Sequence, residues 1–190
     1  MKKLLLGLLV VIVLAVMFIA TRPATYRVER STTILAPAEV VYPLLVDFHQ
    51  WEGWSPWEKL DPAMKRDFGG APSGTGATYQ WQGNSDVGEG RMTITEAEPP
   101  TRVGILLEFL KPFEATSTSV FTLTPDGEGT KVTWTMDGNH NFMAKAMTSF
   151  MSMDKMIGGD FEKGLASMKA LAESATAAAT PADSAAVTAP

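Results

Sequence analysis

The C-terminal region that decides the fold has the sequence FMAKAMTSFMSMDKMIGGDFEKGLASMKALAES, residues 142–174. Its large apolar side chains recur every three or four residues, which is the spacing of one face of an α-helix. This apolar stripe comprises Met147, Phe150, Met153, Ile157, Phe161, Leu165, Met168 and Leu171. A helix with such a face must bury it against another layer of structure. The sequence therefore predicts a long amphipathic helix that packs on the rest of the domain.

Gly158-Gly159 interrupts the apolar stripe, and Asp160 follows as a good N-cap. We therefore expect either a kinked helix or two consecutive helices, the second running from about Phe161 to Ser174. The Ala-, Thr-, Ser- and Pro-rich stretch 175–190 cannot bury enough apolar surface to offset its ordering entropy. We predict a disordered tail there, after a folded domain of residues 25–174.

Strand signals precede this helix at intervals of about ten residues, separated by turn residues. The predicted strands are 26–35, 77–82, 88–98, 102–110, 116–124 and 130–138. Between the first two, a short amphipathic helix begins at Pro37 and leads into the turn Trp51-Glu-Gly-Trp54-Ser-Pro-Trp57. The order strand, short helices, antiparallel meander and long helix is that of a helix-grip α+β fold.

Five local sequences carry a resemblance to a known family. They are Trp51-x-x-Trp54-Ser-Pro-Trp57, Gly74-x-Gly76-Ala-x-Tyr79-x-Trp81, Gly83-Asn84, Thr130-Lys-Val-x-Trp134 and Gly159-Asp-Phe161-Glu-x-Gly164-Leu165. With them, residues 25–173 resemble the polyketide cyclase/dehydrase and lipid-transport branch of the START-like (SRPBCC) superfamily. The resemblance implies a curved antiparallel sheet wrapped around the C-terminal helix, with a cavity between them for sterols, lipids, polyketides or other apolar molecules. It implies no particular reaction.

Residues 4–20 are seventeen consecutive apolar or glycine positions that follow Lys2 and Lys3. At about 1.5 Å per residue, they are just long enough to cross a bilayer core. We expect residues 1–22 to form a retained transmembrane helix or signal anchor, because no clear A-x-A-like cleavage site is present; a cleaved secretory signal is the alternative. The two lysines predict a cytoplasmic N-terminus, so either interpretation exports the domain to the outer or periplasmic side.

Charge and residue types argue against several classes of function. The chain has 16 basic and 21 acidic side chains, and without Lys2, Lys3, Arg22 and Asp183 the domain keeps 13 and 20, a net charge of −7. This balance argues against nucleic-acid binding, which needs clustered positive charge. Cysteine is absent, so no disulfide, thiol nucleophile or cysteine zinc site exists. No metal or other cofactor is expected, because spacings such as H-E-x-x-H and the Walker Lys-Ser/Thr are missing.

The residues that we expect to line a ligand cavity are large and apolar. They are Trp51, Trp54, Trp57, Trp81, Phe109, Trp134, Met147, Phe150, Met153, Ile157 and Phe161. Aromatic walls suit apolar ligands, and flexible methionines suit a gate that accepts ligands of different shapes. The alternative is ordinary packing, in which tryptophans anchor the core and methionines fill irregular gaps.

The sequence therefore predicts a membrane-tethered protein that binds or transports a small hydrophobic molecule or lipid. Two alternatives stay open. An enzyme of the cyclase or dehydratase type would use His49 or His140 beside acidic neighbours, although no catalytic motif of the family can be assigned to a residue here. An interaction module would use the cavity rim to hold another envelope protein, whose identity the sequence does not indicate.

Overall fold

A computed structural model describes residues 2–139, 145–146 and 152–179 of the 190-residue chain. Its long or regular helices are α1 (Lys2–Ala20), α2 (Ala38–Val46) and α3 (Met153–Ala179). Two short 3-10 helices, Phe48–Gly53 and Pro56–Lys59, follow α2 and contain most of the tryptophan-rich turn. Helices α2 and α3 fall within segments where the sequence predicts helices.

The seven strands of the described residues form one antiparallel sheet. They are β1 (Thr25–Ile34), β2 (Lys65–Gly70), β3 (Ala77–Gln82), β4 (Glu89–Glu98), β5 (Arg102–Lys111), β6 (Ala115–Asp126) and β7 (Gly129–Asn139). Their order is β1-β7-β6-β5-β4-β3-β2, so strands β2 to β7 form a meander and β1 joins its far side beside β7. The curved sheet and the long C-terminal helix confirm the predicted α+β helix-grip fold.

Six strands coincide with predicted strands to within two residues at each end. The seventh, β2, was not predicted. Its residues, Lys65-Arg-Asp-Phe-Gly-Gly70, show no apolar alternation, and most of them are exposed. Because β2 is an edge strand with one open side, it needs little apolar burial, and the pattern that reveals a strand is absent.

Helix α3 runs as one element through Gly158-Gly159, where we expected an interruption. The alternative of two consecutive helices is therefore wrong. Asp160 lies inside the helix, where its carboxylate accepts a hydrogen bond from Lys163 at 2.9 Å. A Cβ atom at Gly158 would displace the guanidinium group of Arg30 on β1. The glycine therefore leaves room for Arg30 to lie against the helix.

Polar contacts hold α3 along β1 at two levels. Near the start of the helix, Arg30 binds Asp154 (Nη1–Oδ1 2.6 Å) and Glu162 (Nε–Oε1 2.7 Å). Near its end, the Glu173 carboxylate accepts a hydrogen bond from the backbone N–H of Leu35 at 2.8 Å. Because the contacts advance together along both elements, α3 and β1 run in the same direction.

An aromatic cluster joins the middle of α3 to the sheet. Phe161 stacks on Trp134 of β7, with ring centroids 3.9 Å apart and an angle of 9° between the planes. Trp54 and Phe121 pack against Trp134 at 5.7 and 4.8 Å. One helical turn after Phe161, a Cβ atom on Gly164 would lie only 3.0 Å from the Trp134 ring. This turn of α3 is therefore the one that lies closest to the aromatic layer.

Helix α1 has a mean hydropathy of 2.9 and no buried residue. Its length and composition allow it to cross a membrane, and a signal sequence near the N-terminus would pass the same test. The retained anchor, the cleaved signal and the predicted orientation therefore all stay predictions.

Several predictions fall at the limits of the described residues. Helix α3 continues past Ser174, its expected end, to Ala179. The remainder of the expected tail, residues 180–190, lies outside the described residues, as do Met147, Phe150 and His140. The structure therefore leaves the predicted roles of these residues untested.

Larger side chains at two glycines of α3 should change the free energy of unfolding in opposite directions. Gly164→Leu should lower the free energy of unfolding by about 1–3 kcal/mol, because the new side chain pushes the helix away from Trp134. Gly159→Ala, the control, meets nothing within 4 Å and should raise it by about 0.5–1 kcal/mol through helix propensity. Urea unfolding of the full chain in detergent, followed by tryptophan fluorescence, measures both. Equal effects would contradict the close approach at Gly164.

Candidate ligand-binding cavity

A cavity of about 220 Å³ lies between the curved sheet and the N-terminal half of α3. Its walls are mainly aromatic and aliphatic, and the polar or acidic residues among them are Ser55, Glu58, Tyr79, Asp86 and Ser119. The volume lies somewhat below the ~300–1,000 Å³ that is typical of ligand pockets. The space therefore suits a small apolar molecule or one portion of a larger one.

Eight of the eleven predicted residues surround this cavity. They are Trp51, Trp57, Trp81, Phe109, Trp134, Met153, Ile157 and Phe161. The last three lie four residues apart on α3, so the helical period brings them to the same side. The period of the stripe thus explains their position, while their contact with a ligand stays a prediction.

Trp54 does not line the cavity, although we expected it to. Its side chain is only 1% exposed and lies in the core, where the indole N–H donates to the carbonyl of Leu44 at 2.9 Å. Neighbouring Trp51 donates in the same way to the carbonyl of Leu45 at 3.2 Å. These two bonds fix the tryptophan-rich turn to the end of α2. For Trp54, the packing alternative describes the structure.

The inner wall of the cavity is a set of aromatic rings with satisfied polar atoms. Trp57 meets Trp134 and Phe161 edge-on, at centroid distances of 5.8 and 6.2 Å. The Trp134 indole donates to the hydroxyl of Ser119 at 2.8 Å, and that hydroxyl donates to the carbonyl of Thr135 at 3.3 Å. Because the ring nitrogen already has its partner, the wall presents mainly apolar surface to the cavity.

The β3–β4 loop forms another side of the cavity. Trp81 near the end of β3 donates its indole N–H to the carbonyl of Val87 at 2.9 Å, and its ring meets Phe109 edge-on at 6.1 Å. Trp81, Val87 and Phe109 all border the cavity, together with Asp86 of the same loop. The indole bond therefore holds the loop at the border of the cavity.

One group of charged and polar side chains lies in the otherwise apolar wall. The carboxylate of Glu58, only 5% exposed, accepts hydrogen bonds from Arg66 (Nε–Oε2 2.6 Å) and from the hydroxyl of Tyr79 (2.6 Å). Arg66 also donates to the backbone carbonyls of Met64 and Glu58 at 3.1 Å. We call Glu58, Arg66 and Tyr79 the Glu58 cluster. It ties the second 3-10 helix to strands β2 and β3.

The Glu58 cluster shifts two proton equilibria. Burial, followed by the hydrogen bond to Glu58, raises the pKa of Tyr79 far above its ordinary 10.0. The hydrogen bond to the same carboxylate raises the pKa of Arg66 above its ordinary value. Tyr79 is therefore a neutral hydrogen-bond donor at the cavity wall, and Arg66 is a permanent cation behind it.

The sequence analysis missed all three members of this cluster as site residues. Glu58 stands next to Trp57 in a short 3-10 helix, and a glutamate in an irregular segment ordinarily faces solvent. Its burial depends on Arg66, which lies on β2, the strand that was not predicted. The only available signal was Tyr79, which belongs to one of the sequences that carry the family resemblance.

The histidine chemistry that we considered for an enzyme finds no support at His49. Its side chain is 56% exposed, its Nδ1 lies 2.8 Å from Asp47, and its ring stacks on Phe68. His49 does not border the cavity. Among the described residues, no group of three or more His, Asp or Glu side chains has the arrangement of a metal site.

Residues 25–173 match the model of a family described as polyketide cyclase/dehydrase and lipid transport. The chain belongs to this family. The match extends from the first strand to near the end of α3, so it covers the whole helix-grip domain and confirms the resemblance found in the sequence. Membership of the polyketide cyclase/dehydrase and lipid-transport family favours a hydrophobic ligand without choosing between a carrier and an enzyme.

Solved structures share the fold of this family member at low identity. A Chromobacterium violaceum protein is 16% identical, with a TM-score of 0.54, over 80% of this chain and 99% of its own. A Rhizobium leguminosarum protein is 13% identical, with a TM-score of 0.58, over 79% and 95%. The di-domain ARO/CYC StfQ of the steffimycin biosynthetic pathway is 11% identical, with a TM-score of 0.57, over 81% and 53%. A comparison with curated proteins finds no match.

Removing the carboxylate of the Glu58 cluster should destabilise the domain. Glu58→Ala leaves the Arg66 guanidinium, 25% exposed, without its partner, and should lower the free energy of unfolding by about 2–4 kcal/mol. The control Glu108→Ala breaks the more exposed pair with Arg91 and should cost about 0–1 kcal/mol. Urea unfolding of the full chain in detergent measures both. A cost for Glu58→Ala no larger than that of the control would contradict the structural role of the cluster.

The raised pKa of Tyr79 predicts a loss of stability in alkaline solution. The folded state holds the phenolic proton more tightly than the unfolded state, whose pKa is near 10.0. The free energy of unfolding should therefore keep the full contribution of Tyr79 below about pH 10 and fall as the pH rises further. Urea unfolding between about pH 9 and 11 should show a smaller decline for Tyr79→Phe than for the parent chain. If the free energy of unfolding fell equally in both proteins, the raised pKa of Tyr79 would be refuted.

Proposed function

We propose that this protein binds a small hydrophobic molecule or a lipid in the cavity beneath α3, while α1 holds the domain at a membrane. The observation that carries the proposal is the cavity itself. It is walled by aromatic and aliphatic side chains, and the indole N–H groups of Trp81 and Trp134 in that wall already have partners. Transfer of apolar surface from water into such a space is the main gain available to a ligand.

One further observation supports the proposal. The family is described as including lipid transport. Within the cavity, Met153, Ile157 and Phe161 of α3 would contact the ligand, together with Trp57 and Trp134, which pack against Phe161. The N-terminus would lie in the cytoplasm and the domain on the outer or periplasmic side, as Lys2 and Lys3 predict.

Extraction of the native ligand tests the proposal directly. The full chain is purified in mild detergent and extracted with organic solvent, and the extract is analysed by mass spectrometry. We expect an apolar molecule that is absent from a mock purification. Absence of any such molecule, combined with no binding of fatty acids or sterols, would refute a ligand-binding function.

Filling the cavity should abolish binding without unfolding the domain. Ile157→Trp replaces an aliphatic side chain with a bulky indole ring in the cavity, whereas Lys155→Trp, two residues earlier on α3, adds the same ring at an exposed position. In nanodiscs, energy transfer from tryptophan to the apolar probe N-phenyl-1-naphthylamine reports occupancy, with empty nanodiscs as background. The affinity should fall by about tenfold or more for Ile157→Trp, equivalent to about 1.4 kcal/mol, and stay unchanged for Lys155→Trp. Equal affinities would argue against this cavity as the site.

A cyclase or dehydratase function is the second candidate, and the Glu58 cluster is what favours it. Glu58 and Tyr79 bring a carboxylate and a neutral phenol to the cavity wall, which are groups that can exchange protons with a bound substrate. Incubation of the full chain with its extracted ligand, followed by mass spectrometry, separates the two functions. A ligand that loses water or forms a ring with the parent chain, but not with Tyr79→Phe, would favour the enzyme. An unchanged ligand would favour the carrier.

Crosslinking in membranes tests a third function, the holding of another envelope protein.

A further inference from the structure

The hairpin between β5 and β6 exposes apolar side chains at its tip. Leu110 and Phe113 are 53% and 58% exposed, and they flank Lys111-Pro112. Large apolar residues at a protruding turn gain nothing from the core of the domain itself. Two exposed apolar side chains are ordinary by themselves, and what distinguishes this pair is its position in the fold.

The sheet register places this hairpin tip at the end of the sheet where the N-terminal helix joins. Thr25, the first residue of β1, pairs with Asn139 at the end of β7, and Gly138 pairs with Ser117 near the start of β6. Phe109 at the end of β5 pairs with Ala115. The starts of β1 and β6 and the ends of β5 and β7 therefore share one end of the sheet, which we call the anchor end.

Distances along the chain keep the anchor end close to α1. Only residues 21–24 separate Ala20, the last residue of α1, from Thr25. Four residues span at most about 14 Å when fully extended. The hairpin tip lies three strands away from β1 in the order β1-β7-β6-β5, which is a lateral distance of about 14 Å at ~4.8 Å per strand. If α1 crosses a bilayer, the tip therefore lies within reach of its surface.

Residues at the anchor end of the sheet also border the cavity. Val87 of the β3–β4 loop, Phe109 near the hairpin tip and Met153 at the start of α3 all border it. The loop and the hairpin are in contact, because a Cβ atom on Gly88 would collide with the carbonyl of Lys111. The hairpin tip therefore lies beside this border of the cavity.

We propose that Leu110 and Phe113 insert into the surface of the bilayer that holds α1, so that the cavity exchanges its ligand directly with the lipid. This inference rests on the proposed function. The occupant of the surface is lipid, because the short link to α1 keeps this end within reach of the bilayer. Electrostatic attraction is not the cause, since the domain carries a net charge of −7 and would be repelled by anionic lipid. Phe and Leu side chains gain free energy by burying apolar surface at the boundary between headgroups and acyl chains.

The absence of cysteine allows a sharp test in the full chain. Single variants Phe113→Cys, Leu110→Cys and Leu35→Cys are labelled with the dye NBD and reconstituted into phosphatidylcholine vesicles. Leu35 is the matched control, because it is 63% exposed and follows β1 at the opposite end of the sheet. Nitroxide-bearing lipids quench only dyes that lie in or near the bilayer.

Emission from positions 110 and 113 should shift to the blue and be quenched several-fold more strongly than emission from position 35. The quenching should persist at high salt. In addition, Leu110→Ser combined with Phe113→Ser should slow the transfer of N-phenyl-1-naphthylamine from vesicles to the protein several-fold, with equilibrium binding unchanged. Leu35→Ser should leave the rate unaltered.

Two control measurements separate this inference from the proposed function. Flotation with vesicles reports whether α1 holds the chain in lipid, and energy transfer to the probe reports whether the cavity binds it. If both succeed and positions 113 and 35 are quenched equally, docking of the hairpin is wrong and the binding function stands. If flotation fails, the anchor is wrong and the docking proposal fails with it.

Discussion

The close approach of α3 to the sheet at Gly164 is the constraint on which the rest of the domain depends. At this turn the helix lies against the Trp134 ring, because a glycine leaves room for it. One and two turns earlier, Phe161 and Ile157 replace the small residue with large ones that border the cavity. The change of side-chain size along one helix face therefore sets where the two layers meet and where a space remains between them.

The Glu58 cluster places a buried carboxylate in the wall of that apolar space, and its hydrogen bonds explain how the fold tolerates this charge. Both carboxylate oxygens of Glu58 are occupied, one by Arg66 and one by Tyr79. Through these two bonds, Glu58 joins the second 3-10 helix to β2 and β3. The same carboxylate would be strongly unfavourable if it were buried without partners. Because these groups are already engaged with each other, the cavity offers a ligand mainly apolar contact area.

Periodicity predicted the parts of the structure that are buried on one face. The stripe containing Met153, Ile157 and Phe161 predicted both a helix and a cavity wall, since side chains four residues apart share a face. Trp54 was placed wrongly because a tryptophan looks the same in sequence whether it fills a core or borders a space. Glu58 was missed for a related reason: its burial results from partners on other elements, and no local pattern encodes them.

The edge strand β2 has a consequence for how copies of the domain would meet if the proposed tether holds them at a membrane. One side of its backbone has no neighbouring strand among the described residues, so it is the natural template for pairing with another copy. Lys65 and Asp67 put charge along this border, and Gly69-Gly70 weaken its extended conformation. The charged and glycine residues that keep β2 from being recognised in the sequence therefore also discourage pairing between the sheets of neighbouring copies. The proposed tether would bring such copies together at high density.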